Sequence, residues 1–167
     1  MSAATTPVFL VGFMGTGKST TGQILARLMG WDFIDLDDQI VAAEGRSIPR
    51  IFAEAGEVYF RRREADLLAS LRGRSCLVVA CGGGTYAREA GRRQIDRIGR
   101  AVWLQLPLET ALDRCRDGTV RPLLRDRAEA EALYRLRLPS YRAAPLHVDL
   151  EGLSPEAAAE RIAALLQ

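Results

Sequence analysis

The sequence predicts an α/β fold, a parallel sheet with crossover helices, formed by one domain over residues 1–167. Three observations predict it. Five short apolar runs of strand type alternate with stretches of helical spacing. A glycine-rich segment, Gly12–Ser19, stands between the first run and the first helical pattern. The chain has no repeat, low-complexity tract or Pro/Ser-rich linker, and its length suits one core.

The first strand is read at Pro7–Val11, followed by a helix over Ser19–Met29 that carries Ile24, Leu25 and Leu28 on one face and stops at Gly30. Further strands are expected at Asp32–Leu36, Cys76–Cys81, Ala101–Leu106 and Leu146–Leu150. Ser154-Pro155-Glu156 supplies an N-cap, a first-turn proline and an acid, so the last helix starts there and runs to Leu166. Residues 114–127, dense in arginine and holding Gly118 and Pro122, are expected to form a mobile surface loop.

Composition excludes several classes. Acids and bases are interspersed at a net charge of +2, which gives no broad positive field for nucleic acid. Cys76, Cys81 and Cys115 are odd in number and His147 is the sole histidine, so neither a disulfide framework nor a Cys/His zinc site is expected. That usage suits a reducing, cytoplasmic setting. Residues 1–17 lack charge, but no basic residue precedes the apolar stretch and glycines interrupt it, unlike a signal peptide or membrane span.

Of 23 Lys and Arg residues one alone is lysine, Lys18, inside Gly12-Phe13-Met14-Gly15-Thr16-Gly17-Lys18-Ser19. A guanidinium is a planar fork and an ammonium a compact point charge, so the exception marks a place where only the compact charge fits. The segment matches the phosphate-binding pattern G-x-x-x-x-G-K-[ST]. In such a loop, main-chain N–H groups and the Lys hold phosphate oxygens while the Ser hydroxyl meets Mg²⁺. Nucleoside triphosphate binding follows as the first expectation.

Five other segments carry candidate chemistry. In Phe33-Ile34-Asp35-Leu36-Asp37-Asp38, strand alternation sets Asp35 and Asp37 on one side near a carboxyl end, one to orient a water on Mg²⁺ and one to accept a hydroxyl proton. The alternative is that Asp37 or Asp38 caps a helix entered at Gln39. In Arg61-Arg62-Arg63-Glu64, Arg61 has Glu57 and Glu64 at helical spacing to fix its fork for an anion, while Arg62 and Arg63 read as a solvated face. Gly82-Gly83-Gly84 offers unobstructed main-chain N–H groups after a strand, or is a tight turn. Arg121 beside Pro122 is placed to swing over phosphates, and Arg137 precedes Pro139, expected to disrupt a helix. Arg72, Arg74, Arg92, Arg93, Arg97 and Arg100 read as solvated, and His147 as structural.

Taken in order, the phosphate loop, Phe33–Asp38, Ile51–Arg61 with Glu64, the glycine turn and Thr119-Val120-Arg121-Pro122-Leu123-Leu124 resemble the shikimate kinase family. The resemblance runs from Val8 to Pro155. It implies a P-loop, three-layer fold of the nucleoside monophosphate kinase type, with a five-stranded parallel sheet, a substrate-binding helical region at about 37–65 and a lid at about 114–127. It implies phosphorylation of shikimate to shikimate 3-phosphate in chorismate and aromatic amino acid biosynthesis, with ATP and Mg²⁺. Gly15, Thr16, Gly17, Lys18, Ser19 and Thr20 would cradle the ATP phosphates, Ser19 would ligate Mg²⁺ and Asp35 would act through its water shell. Asp37 would hold the reacting hydroxyl. Arg61 and Arg137 would clamp the shikimate carboxylate with Gly82, Gly83 and Gly84, Arg121 would face the phosphates, and Arg114 and Pro155 would flank adenine. The chain departs from the family at Ala143, where many members carry an acid two positions after Tyr141; a supporting salt bridge is expected to change there.

The alternatives are gluconate kinase or a nucleoside monophosphate kinase, which share the loop and fold, and a nucleotide-sensing module without catalysis. The chain has no Asn, so the N-K-x-D guanine-reading element of GTPases is missing. A small-molecule acceptor and a monomer without nucleic acid or membrane partners are expected.

Overall fold

The computed structural model describes residues 5–115 and 126–167. Its sheet has the strands β1 (Val8–Val11), β2 (Asp32–Asp35), β3 (Leu77–Ala80), β4 (Arg100–Gln105) and β5 (Leu146–Asp149). All are parallel, in the spatial order β2-β3-β1-β4-β5. Each of the five expected strands is present; four are shorter than expected by a residue at one or both ends, and β4 is shifted by one residue, starting at Arg100 and not Ala101. Because β3 and β4 flank β1 on opposite sides, the chain leaves the central strand at the point where connections diverge, and open α/β sheets bind ligands at that crevice.

Alternation along the strands divides the core. Phe9 and Val11 join Val79, Trp103 and Tyr141 on one face of the sheet. Val8 and Leu10 join Val78, Leu104 and Val148 on the other, under helix α1 (Lys18–Met29) and helix α7 (Pro155–Leu166). Helix α1 ends at Gly30 in the left-handed conformation, φ 67°, as the sequence suggests. It approaches the sheet closely at Gly22, where a Cβ would sit 2.6 Å from the Phe33 ring. Ser154 caps α7, its hydroxyl accepting from Ala157 N–H at 3.1 Å.

Helix α2 (Leu36–Glu44) and helix α3 (Ile48–Ser70) form a subsidiary helical unit with its own core of Ile40, Ile51 and Phe60. Gly56, at φ 84° and ψ 168°, breaks the helical path of α3 in a conformation that glycine takes at low cost. The two helices are tied by Glu44, which accepts from Tyr59 Oη at 2.8 Å and pairs with Arg63 at 2.9 Å and Arg46 at 3.2 Å. Arg63, expected only to face solvent, is therefore also a fastening between helices, with its side chain partly exposed.

Helix α4 (Glu89–Ile98) follows the glycine turn, helix α5 (Leu108–Cys115) follows β4, and helix α6 (Arg127–Arg142) precedes β5. The ends of the loop expected over 114–127 are not loop: Arg114 and Cys115 close α5, and Arg127 opens α6 under an Asp126 cap. Residues 116–125, with Gly118, Arg121 and Pro122, lie outside the described residues. Pro139 does not disrupt α6, which continues to Arg142. Pro139 and Arg135, whose carbonyl loses its helical donor to the proline, are both exposed, a setting in which solvent can take up the missing bond.

Candidate active site

Gly12–Ser19 leaves β1 and turns into α1 through three glycines of positive φ: 146° at Gly12, 75° at Gly15 and 81° at Gly17. Gly15 has a second constraint, since a Cβ there would collide with the Ala111 carbonyl of α5. Gly17 occupies the N-cap position without a capping side chain, so the first N–H groups of α1 remain available to an anion. Lys18 is 7% exposed, and its ammonium donates to the carbonyls of Gly12 and Phe13, each at 2.8 Å. Thr16 Oγ1 donates to Phe13 O at 2.9 Å and closes the loop on itself.

Asp35 ends β2 and caps α2, its Oδ1 accepting from Asp38 N–H at 3.1 Å. Its Oδ2 accepts from the Ser19 hydroxyl. The alternation expected to carry Asp37 along the strand is overturned: the strand stops at Asp35, and Asp37 lies in the first turn of α2. An Asp cap followed by two acids at a helix N-terminus wins over two more residues of strand. Nor does Asp37 or Asp38 serve as the cap. The two carboxylates still converge, because Asp35 and Asp37 line one cavity with Gly15, Gly17, Lys18 and Ser19, and Thr20, Arg114, Cys81 and Cys115 complete its wall.

Burial, reinforced by the neighbouring Asp35 charge, raises the Asp38 carboxyl above its ordinary value. Burial likewise holds the Cys81 thiol well above its usual range, with the Glu64 charge acting in the same sense.

A second cavity, open to solvent, adjoins the first. Asp37 lines both. Met14, Ile48, Phe52 and Phe60 give the second cavity an apolar wall, and Arg61, Arg137, Glu64 and the glycine turn give it a polar one. Each glycine of the turn makes room for a particular side chain. A Cβ at Gly82 would lie 3.0 Å from Asp37 Oδ1, one at Gly83 2.9 Å from Arg137 Nη1, and one at Gly84 would overlap the Arg61 guanidinium.

Arg61 is held by both acids foreseen in the sequence, Glu64 at 2.9 Å and Glu57 at 3.6 Å, and lies over the Phe60 ring at 5.2 Å. Arg137, on α6, is 8% exposed. Burial lowers its pKa below the usual guanidinium range, and the Tyr141 hydroxyl, hydrogen-bonded to it, opposes that shift. A guanidinium keeps its proton in such a setting.

Of the other expected residues, Pro155 lines neither cavity and begins α7 at an exposed position. Ala143 is the exposed C-cap of α6. His147 Nε2 is 2.9 Å from the Ala144 carbonyl and its ring lies edge-on to Trp103, a structural role. Sequence reasoning missed the apolar wall, although Ile48 and Phe52 at i, i+4 were a visible signal. It also missed Tyr141 and Thr85, which carry no local pattern.

The oxygen set beside the loop suits a hard cation: one hydroxyl and one carboxylate already meet at Ser19 and Asp35. Among the described residues there is no group of three or more His, Cys, Asp or Glu arranged to hold a metal alone. Magnesium at phosphate sites needs no such cage, since it keeps water and takes phosphate oxygens. No helix among the described residues is long and apolar enough to cross a membrane.

Comparison with known proteins places this geometry. A profile of the shikimate kinase family matches residues 14–167. The shikimate kinase of Persephonella marina is 42% identical over 149 residues, covering 89% of this chain and 91% of that protein. That of Halorhodospira halophila is 43% identical over 164 residues, covering 96% and 93%. Among solved structures, shikimate kinase from Acinetobacter baumannii in complex with shikimate superposes with a TM-score of 0.89 at 36% identity, covering 96% of this chain and 92% of that one. The Aquifex aeolicus enzyme gives 0.84 at 35% identity, with 96% and 95% covered. By profile, sequence and fold together, this chain belongs to the shikimate kinase family.

Proposed function

We propose that the chain transfers the terminal phosphoryl group of ATP to the 3-hydroxyl of shikimate, supplying the phosphorylated acid to chorismate and aromatic amino acid synthesis. One observation carries the reading: a loop built for phosphates and a pocket built for a small carboxylated alcohol share Asp37 as their common wall. Phosphoryl transfer asks a protein for positioning and charge neutralisation, and those two cavities supply the parts.

The N–H groups from Gly15 to Thr20 and the Lys18 ammonium hold the ATP phosphates. For Lys18 this means exchanging carbonyl contacts at Gly12 and Phe13 for phosphate oxygens, a short movement of a group already pointed into the loop. Asp37 accepts the proton of the attacking hydroxyl and aims its oxygen at the phosphorus. Arg61 and Arg137 grip the carboxylate from two helices, with the Gly83 N–H beside them, while Ile48, Phe52 and Phe60 cover the apolar face of the ring. Ser19, and Asp35 through a water, would hold Mg²⁺, which when bound offsets charge on the β and γ phosphates. Arg121 is assigned to the lid from the sequence, and Arg114 and Pro155 to the neighbourhood of the adenine. The proposed organisation is one kinase domain with a substrate-binding region at about 37–65 and a lid at about 114–127, acting as a cytoplasmic monomer.

An ADP-release assay with Mg-ATP and a panel of shikimate, gluconate and nucleoside monophosphates tests the reading. Turnover stimulated by shikimate is expected. Turnover with gluconate or a nucleotide and none with shikimate overturns the acceptor, and calorimetry without magnesium-dependent ATP uptake overturns nucleotide binding itself.

A further inference from the structure

We infer that Thr85 is a positioning residue for the acceptor pocket, setting the orientation of Arg61 through Glu64. The inference rests on Arg61 gripping the substrate carboxylate. Thr85 follows the three glycines directly and is fully buried. Its Oγ1 donates to Glu64 Oε2 at 2.7 Å, while Glu64 Oε1 accepts from Arg61 Nη1 at 2.9 Å. Both oxygens of a carboxylate that is itself 4% exposed are thereby engaged, and the plane of the group is set by its two donors.

The other restraints on Arg61 do not fix it alone. Glu57 is 3.6 Å away and its side chain is 53% exposed, so water competes for it, and it is shared with Arg88, also at 3.6 Å. The Phe60 ring restrains the guanidinium from one side without fixing rotation in its plane. Glu64 is the buried, short contact, and Thr85 is what holds its far oxygen. Deleting the hydroxyl leaves a buried acceptor unsatisfied, and the carboxylate then gains by turning toward another donor and drawing Arg61 with it. One turn therefore serves the clamp twice: Gly84 leaves space for the guanidinium, and Thr85 anchors its counter-ion.

The test compares Thr85→Val, which keeps the shape and removes the donor, with Thr85→Ser, which keeps the donor and removes the methyl. In steady-state kinetics Thr85→Val is expected to raise the shikimate KM about fivefold, the loss of roughly one buried hydrogen bond, with kcat and the ATP KM within about twofold of the parent. Thr85→Ser is expected to restore the shikimate KM. A role in packing alone gives the reverse order, with Ser impaired and Val normal, or moves thermal stability and both KM values together; either pattern overturns the inference. Should Thr85→Val prove insoluble, Thr85→Ala is measured against the same expectations by calorimetric shikimate binding. Arg61→Lys runs in parallel. If it raises the shikimate KM and Thr85→Val does not, the role of Thr85 is refuted and the Arg61 grip stands; if neither moves it, both fall.

Discussion

Tyr141 links Gly83 and Arg137, two parts of the wall of the second cavity, through one oxygen. Its hydroxyl donates to the Gly83 carbonyl at 2.6 Å and is hydrogen-bonded to the Arg137 guanidinium. Since Tyr141 is fully buried on α6 and Gly83 lies in the turn after β3, this hydroxyl sets the spacing between a helix-borne charge and the glycine turn. Tyr141→Phe is expected to cost about 1–2 kcal/mol of stability, lowering Tm by about 2–8 °C, and to raise the shikimate KM several-fold. Calorimetry and steady-state kinetics check both, and a shift in Tm without one in KM limits Tyr141 to packing.

Lys18 tests the phosphate loop. Its ammonium is buried between two carbonyls at 2.8 Å, in a space fitted to a compact charge. Lys18→Arg retains the charge but brings a larger planar group that cannot occupy the same pair of contacts. Turnover is expected to fall at least about 100-fold, the scale on which loss of one transition-state donor is felt, with the circular dichroism spectrum preserved. Near-normal turnover refutes the role.

Asp37 sits where the two cavities meet, in the first turn of α2. Asp37→Asn keeps its size and removes its basicity. A kcat reduced by about 100-fold or more is expected for a group that accepts a proton in transfer, with ATP affinity little changed. An unaltered kcat reduces Asp37 to a first-turn acid that favours the helix dipole.

What the sequence made legible was local. The phosphate loop, the strand positions and the caps at Gly30 and Ser154 are each written in a few adjacent residues, and the fold keeps them. Contacts between distant residues were not legible. Thr85 meets Glu64 across 21 positions and Tyr141 meets Gly83 across 58, with no periodicity joining either pair. Arg63 looked solvated because its partner, Glu44, belongs to another helix. Asp37 was assigned to the site through strand alternation, yet a helix turn delivers it there. Side chains of adjacent elements converge at the carboxyl edge of a parallel sheet, so Asp37 lines both cavities despite the error in the path.

The α2–α3 fastening gives a pH dependence. Glu44 has its pKa lowered from 4.5, first by the hydrogen bond from Tyr59 and also by Arg46 and Arg63. A carboxyl depressed in the folded state stabilises above its unfolded pKa, and that contribution disappears as pH falls through the lower folded value. Glu44→Gln should therefore melt below the parent at pH 7, with the difference shrinking below about pH 4.5 as the parent carboxylate takes up its proton. Scanning calorimetry from pH 7 to 3 checks this, and a gap that widens on acidification contradicts the sign.

Gly84 separates the two ligands most cleanly. A Cβ there would occupy the position of the Arg61 guanidinium, and Arg61, hemmed by Phe60 and Glu64, has little room to retreat without losing its 2.9 Å contact. The displaced group would be Arg61, the proposed acceptor clamp, because Gly84 lines the cavity that holds Arg61 and Arg137 and is absent from the wall of the cavity beside the Gly12–Ser19 loop. Gly84→Ala is thus expected to raise the shikimate KM about tenfold or more, as for an interaction with a charged group lost in binding, while the ATP KM stays near that of the parent. If both KM values rise together, the methyl has disturbed the β3 turn as a whole, and the division of labour between the cavities is wrong. If neither rises, Arg61 has another rotamer that serves equally well, and its grip on the acceptor does not depend on the glycine turn.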